Sequence, residues 1–283
     1  GRSGLMLAGL HTHSTASDGQ YTPTELVELA KQHGLEAISI TDHDTVDGLA
    51  EALQAGRRMG LKVIPGIELC AREYPTFHIL GYGISSESPR LAALCREMKE
   101  SRDSRKYRLI SFLREKGIEI SIEEVEAAAG GDIIGRPHFA QVMARKGCVS
   151  SVKEAFERYL DTEEFHQRVE RSKPSAGECL QSIKEAGGMA SLAHPYQLGL
   201  DDRQLELLVK RLAGMGLEAI ECHYPKHTQA QTAFYLELAY KYSLHVTGGS
   251  DFHGGRVKPG IGLAALELNL EQFPVDFIEK NDA

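Results

Sequence analysis

The chain has 283 residues, 42% of them hydrophobic and 25% charged, with a formal net charge of −8. That length can bury a sizeable core as one large α/β domain or two smaller ones, and the acidic balance argues against a surface for duplex nucleic acid. No apolar run approaches the roughly 18 residues of a membrane span, no signal-peptide pattern opens the chain, and the scattered Cys70, Cys95, Cys148, Cys179 and Cys222 fit a reducing cytoplasm better than a disulfide scaffold.

Residues 1–4 read as a processed or engineered start and are set aside. The first strand is expected at 5–10. The helix after it is well punctuated: Thr22 can cap it, Pro23 suits its first turn, Glu25 completes a capping box, and Gly34 stands where a left-handed residue belongs. Leu26, Val27, Leu29 and Ala30 supply its buried face. A strand at 37–41, a helix at 47–59 ending at Gly60, and strands at 62–67 and 77–82 follow. Further on, strands at 189–193, 218–222 and 244–248 alternate with helices at 175–186, 202–214 and 228–242. Most strands are apolar throughout, as in parallel sheets covered by helices. The fold class is therefore α/β. Seven strands in β-α alternation predict a barrel related to the (β/α)8 architecture, with an open doubly wound sheet as the alternative.

Residues 89–173 break this rhythm. They are helical and charged, and Ser121 to Glu124 forms another capping box. The expected organisation is a barrel over 5–88 and 174–283, with a helical insertion at 89–173 that caps it.

Candidate chemistry gathers where strands stop. His11-x-His13 follows strand one, and a spacing of two puts both rings on one face of an extended segment. Asp18 lies in a Ser-Asp-Gly turn, His43 follows strand two, and Glu68 follows strand three. His194 follows strand five, and Asp251 and His253 follow strand seven. His78 is the poor fit, because it starts its strand instead of ending it. Loops after the C-terminal ends of barrel strands converge on one face. Several buried charged groups there without a common partner would be expensive, and a metal cluster removes that difficulty. Imidazole and carboxylate ligands suit zinc, iron or manganese.

The stretches LHTHSTASDG (10–19), ITDHDTVDG (40–48), PGIE (65–68), FHILGY (77–82), LAHP (192–195) and GSDFHG (249–254) resemble the PHP (polymerase and histidinol phosphatase) superfamily of metal-dependent phosphoesterases. GRPHFA (135–140) is similar to the TrpH-like stand-alone bacterial branch. The resemblance implies a seven-stranded distorted barrel with two or three divalent ions. It implies that His11, His13, Glu68 and Asp251 hold one ion, that Glu68 bridges to a second completed by His78 and His194, and that Asp18, His43 and His253 hold a third. These nine residues would form the catalytic centre. The sequence departs from the family at Gly9, where an Asp usually stands. That carboxylate belonged behind the ligands, so its loss could alter metal affinity or histidine orientation.

Three divalent ions against Asp18, Glu68 and Asp251 would leave about three positive charges, a local attraction for phosphate in an acidic protein. The expected function is hydrolysis of phosphate monoesters or terminal phosphodiesters of nucleotides or short oligonucleotides by a metal-activated hydroxide, of the nucleoside 3′,5′-bisphosphate phosphatase or 5′–3′ exonuclease type. Arg136, through its bidentate fork, and His138 are expected to hold phosphate oxygens, and His223 to contact substrate at the rim. Alternatives are a histidinol-phosphate phosphatase and a non-catalytic metal-binding PHP module.

Overall fold

The computed structural model describes residues 5–131, 134–170, 172–263 and 266–269. The initial residues 1–4 lie outside the described residues. The chain divides into two compact units, one of residues 1–95 with 173–283 and the other of residues 96–172.

The first unit is a nearly closed barrel of seven strands with helices around it. Its strands are β1 (Leu5–Gly9), β2 (Ala37–Ile40), β3 (Lys62–Cys70), β4 (His78–Tyr82), β5 (Met189–Leu192), β6 (Ala219–His223) and β7 (His245–Gly248). An eighth strand, β8 (Leu266–Asn269), pairs antiparallel with β1, giving the order β7-β6-β5-β4-β3-β2-β1-β8. Beyond the end of β1 the chain runs beside the segment after β7. Thr12 bridges Phe252, the His13 N–H donates to the Phe252 carbonyl at 2.9 Å, and the Phe252 N–H donates to the His11 carbonyl at 3.2 Å.

Among the seven expected strands, β4 departs from the all-parallel expectation. β4 runs antiparallel to both β3 and β5, with Cys70 opposite His78 and Ile79 opposite Leu192. The start of β4 therefore lies at the same barrel end as the C-termini of β3 and β5, which removes the misfit of His78. β3 is longer than expected, and Glu68 sits within it, two residues before Cys70.

Helices α1 (Pro23–Gln32) and α2 (Leu49–Met59) cover one side of this unit. The Thr22 hydroxyl accepts the Glu25 N–H and the Glu25 carboxylate accepts the Thr22 N–H, while Gly34 adopts φ +77°. Strand side chains alternate faces, and both faces of β2 are buried. Ile38 and Ile40 pack with Leu26, Val27 and Ala52, whereas Ala37 joins Ala8, Ile64, Leu80, Tyr82 and Ala219 inside the barrel. Burying each large aliphatic side chain contributes about 1.5–3 kcal/mol. Ile64 and Leu80 share their faces with Glu68 and His78, and Ala219 shares its face with Glu221. These polar side chains therefore stand above an apolar barrel floor. Helices α8 (Ala176–Glu185), α9 (Asp202–Gly214) and α10 (Gln229–Lys241) belong to the same unit.

Between β4 and α8 lie α3 (Pro89–Glu115), α4 (Ile122–Ala129), α5 (Arg136–Arg145), α6 (Val152–Ala155), a π-helical turn at Phe156–Leu160 and α7 (Glu163–Arg168). All but the start of α3 form the second unit. Leu109, Phe112, Val125, Phe139, Met143 and Phe165 are among the buried residues of its own core. Ser121 and Glu124 cap α4 reciprocally. Among the described residues no helix is long and apolar enough to cross a membrane.

Candidate metal centre

Three tight turns bring the donors together. Asp42 accepts the Ser14 N–H at 2.7 Å, the Ser14 hydroxyl at 2.6 Å and the Ser17 hydroxyl at 2.7 Å, which folds the turn carrying Asp18. Burial pushes the Asp42 carboxyl up in spite of these donors. In the second turn the Asp44 N–H donates to the Glu68 carbonyl and the Glu68 N–H to the Asp42 carbonyl, setting His43 beside Glu68. The third turn follows β7, where Gly249 packs on His11. A Cβ at Gly249 would lie 2.4 Å from the His11 Cβ. Asp44, His194 and Asp251 adopt positive φ of 55°, 24° and 58°. Backbone strain in non-glycine residues of this kind clusters at functional sites.

Glu68 is the centre of the arrangement and is fully buried. Its Oε1 lies 3.0 Å from Nε2 of both His11 and His13 and 3.6 Å from Nε2 of His43. Its Oε2 lies 3.0 Å from His78 Nδ1 and 3.1 Å from His194 Nε2, and those two ring nitrogens are 3.2 Å apart. Asp251 Oδ1 lies 2.8 Å from His13 Nε2 and 3.3 Å from His11 Nε2. Asp18 Oδ1 lies 3.2 Å from His253 Nε2, and its Oδ2 lies 3.9 Å from His43 Nε2. The His253 Nδ1–H donates to the Asp251 carbonyl at 2.8 Å, which frees Nε2 to act as a donor atom.

The structure thus brings together all nine residues singled out as ligands. Three sets could each hold an ion: His11, His13, Glu68 and Asp251; His43, Glu68 and His78; and His13, Asp18, His43 and His253. His13 and His43 each belong to two sets, where the resemblance assigned each to one. His194 converges on Glu68 and His78.

The residues fit divalent cations by geometry and by charge. Among the described residues, His13 Nε2 and Asp251 Oδ1 are buried and make no hydrogen bond, although they are 2.8 Å apart. Such atoms point past each other toward a common centre, as ligands do, and a buried polar atom left in that state is costly. Burial opposes protonation of His11 and His13. The surrounding carboxylates outweigh it, raising His11 well above its ordinary value and His13 to about 9. Burial pushes His43 down to about 3. Burial also works against ionised Glu68, Asp18 and Asp251, yet the facing imidazoles hold all three carboxyls well below the usual range. The three carboxylates of the cluster demand positive charge, and metal ions meet that demand with the imidazoles left neutral.

Three further residues support the cluster and were not singled out from the sequence. Glu221 Oε2 lies 2.7 Å from His11 Nδ1, and its Oε1 accepts the His194 N–H at 2.7 Å. It supplies His11 with a buried carboxylate even though position 9 is Gly. Tyr224 donates to Asp251 Oδ2 at 2.8 Å, and Lys258 Nζ is 2.8 Å from the same oxygen. A charged residue at an inward position of an otherwise apolar strand was the available signal for Glu221.

The expected substrate contacts stand differently. Arg136 donates to the Leu160 carbonyl at 3.0 Å and to Asp161 at 3.2 Å, and its guanidinium lies over Phe156 and Phe165. His138 Nδ1 accepts the Gly135 N–H at 2.9 Å at the start of α5. Both are engaged within the helical unit. His223 is half-buried at the end of β6, where burial pushes its imidazole pKa down.

Known proteins resemble this chain over most of its length. Residues 9–170 match the PHP domain. A phosphoribosyl 1,2-cyclic phosphate 1,2-diphosphodiesterase of Eggerthella lenta is 35% identical, over 91% of this chain and 98% of its own. A 5′–3′ exoribonuclease of Haemophilus influenzae is 32% identical, over 86% and 89% respectively. A 3′,5′-nucleoside bisphosphate phosphatase of Chromobacterium violaceum is also 32% identical, over 87% and 88%. A solved structure from Bifidobacterium adolescentis, assigned as a metal-dependent phosphoesterase, superposes with a TM-score of 0.69 at 28% identity and covers 96% of this chain and 94% of its own. The expected enzyme class, a metal-dependent phosphoric ester hydrolase, stands. With more than half its length matched and a 35% identical relative covered almost end to end, the chain belongs to the PHP domain family.

Proposed function

We propose that the chain holds two or three divalent ions in this cluster and hydrolyses phosphate monoesters or terminal phosphodiesters of nucleotides or short oligonucleotides. The observation that carries the reading is the carboxylate of Glu68, which turns one oxygen to His11 and His13 and the other to His78 and His194. A shared carboxylate of this kind suits adjacent cations acting on one phosphoryl group.

Ions bound there supply Lewis acidity toward phosphoryl oxygens and make a water acidic enough to attack. The chain's own residues fix the geometry. Glu68 sets the spacing of two pockets, His13 faces both Glu68 and Asp251, and Asp18 with His43 and His253 forms the third side. The apolar barrel floor of Leu80, Tyr82 and Ala219 closes the site from below. An excess of cation charge over three carboxylates draws an anionic ester to a protein of net charge −8. The nucleotide preference rests on the names of the relatives, two of which denote enzymes of RNA ends or nucleoside bisphosphates.

The test is turnover after reconstitution with manganese, zinc or iron. A nucleoside 3′,5′-bisphosphate, a short 5′-phosphorylated RNA, a ribose cyclic phosphate and histidinol phosphate would be offered side by side. Hydrolysis of one or more of the first three, lost in Glu68→Ala and Asp251→Ala, is expected. Activity confined to histidinol phosphate, or equal rates in the wild type and both variants, would overturn the reading.

A further inference from the structure

Glu221 lies on β6, fully buried and on the inward face with Ala219. It carries no solvent contact and no salt bridge to Lys or Arg among the described residues. Both of its oxygens are committed within the metal centre. Oε2 is 2.7 Å from His11 Nδ1, and Oε1 accepts the His194 N–H at 2.7 Å. His11 and His194 are 183 residues apart in sequence, but their rings stack with centroids 5.8 Å apart.

We propose that Glu221 is a positioning residue that couples the two pockets sharing Glu68, with one oxygen setting the tautomer of His11 and the other holding the backbone of His194. The inference rests on the proposed metal binding and goes beyond it.

An ionised carboxylate can only accept, so the nitrogen facing it must carry the proton. With Nδ1 protonated, the neutral His11 ring presents a lone pair at Nε2. That nitrogen lies 3.0 Å from Glu68 Oε1 and 3.3 Å from Asp251 Oδ1, on the metal side of the ring. A carboxylate behind a ligating imidazole fixes the ring's tautomer and orientation and strengthens it as a donor. On the other side, His194 has φ 24° and ψ 63°, a conformation that a residue with a Cβ adopts only when its surroundings enforce it. The hydrogen bond from its N–H to Glu221 is one such restraint, and His194 Nε2 then reaches Glu68 Oε2 at 3.1 Å. The same side chain therefore aims one ligand into each pocket.

Glu221→Gln separates this role from simple space filling, because it preserves shape. An amide can satisfy only one of the two partners in the same way. If its oxygen keeps the His194 N–H, its NH2 faces His11 Nδ1 and drives the proton to Nε2, blocking the donor atom. If it is turned over, two donors meet at His194 N–H.

The experiment measures metal affinity and stoichiometry by titration with Mn²⁺ and elemental analysis. It also reads the His11 tautomer in the zinc-loaded protein by long-range ¹⁵N–¹H NMR. Wild type should show His11 protonated at Nδ1. Glu221→Gln should bind metal about 10–100-fold more weakly, with the proton moved to Nε2 or the His194 amide resonance displaced. Glu221→Asp, which keeps the charge on a shorter arm, should retain the Nδ1–H tautomer while losing metal affinity, and it serves if the Gln variant does not fold. Wild-type affinity in Glu221→Gln with His11 and His194 signals unmoved would overturn the proposal, as would a wild-type His11 protonated at Nε2. Neither readout needs turnover, so a failure of the phosphoesterase reading leaves the result interpretable.

Discussion

The Lys258 ammonium lies 2.8 Å from Oδ2 of Asp251, the oxygen to which Tyr224 also donates, and Oδ1 is thereby left to face His11 and His13. The two carboxylate oxygens have separate duties: one is anchored to the protein and the other is presented to the site. Asp251 holds this orientation from a backbone at φ 58°. Removing either anchor should loosen the ligand without deleting it. Lys258→Met and Tyr224→Phe are each expected to lower metal affinity and kcat by about 10-fold, at the low end for residues behind a metal ligand. Because both act on one oxygen, the double variant should depart from additivity. Metal titration and steady-state kinetics of the three variants check this, and unchanged affinity in all three would contradict it.

Glu68 belongs to two of the candidate ligand sets, whereas His194 Nε2 faces Glu68 and His78. Glu68→Gln should lose more than one bound ion per chain and lower kcat by about 100-fold or more. His194→Ala should lose a single ion. Elemental analysis of the purified variants distinguishes the outcomes, and equal losses in both would argue against a shared carboxylate.

The metal-free chain should have its own pH dependence. The pKa of His13 rises from its ordinary 6.5 to about 9 because the facing carboxylates outweigh burial. The stability this contributes is complete below pH 6.5 and is lost as pH rises through about 9. The depressed carboxyls of Glu68 and Asp251 act in the opposite direction, giving stability above their ordinary values that is lost in acid. Thermal unfolding in chelator should therefore show Tm falling between pH 6.5 and 9, and added metal should raise Tm most at the upper end, where fewer protons compete for the ligands. A metal-free Tm that is flat across that window would refute the assignment.

Gly249 is fixed by close approach. A Cβ there would meet the His11 Cβ at 2.4 Å and the His11 backbone N at 2.7 Å, while nothing lies within 4 Å of a Cβ at Gly255. Gly249→Ala should destabilise the protein by about 1–3 kcal/mol, the range for forced overpacking, and weaken metal binding through His11. Gly255→Ala is the control and should leave Tm within a degree or so of wild type. Similar melting curves for the two variants would remove this explanation of the glycine.

Some of this was legible residue by residue. The caps of α1 and α4, the break at Gly34 and the apolar strands follow from local chemistry, and eight of the nine ligand candidates stand within a few residues of a strand end, with Asp18 in the turn between β1 and α1. Other parts were not. His78 looked misplaced because a five-residue apolar strand carries no mark of its direction; only pairing with β3 and β5 makes β4 antiparallel. Glu221 is locally one carboxylate within a strand, and it becomes part of the site only when closure of the barrel brings it to His11, 210 residues away in sequence. Lys258 sits in a glycine-rich loop whose path the local pattern does not specify.

The sequence by itself determined the element types, the α/β class and the chemical identity of the donors, because periodicity, capping and side-chain type are short-range properties. The tertiary structure alone decided which donors share a pocket, which oxygen of Glu68 or Asp251 faces inward, and which carboxylate stands behind His11. Those outcomes depend on strand direction and barrel closure, and both are set by contacts between segments far apart in the chain.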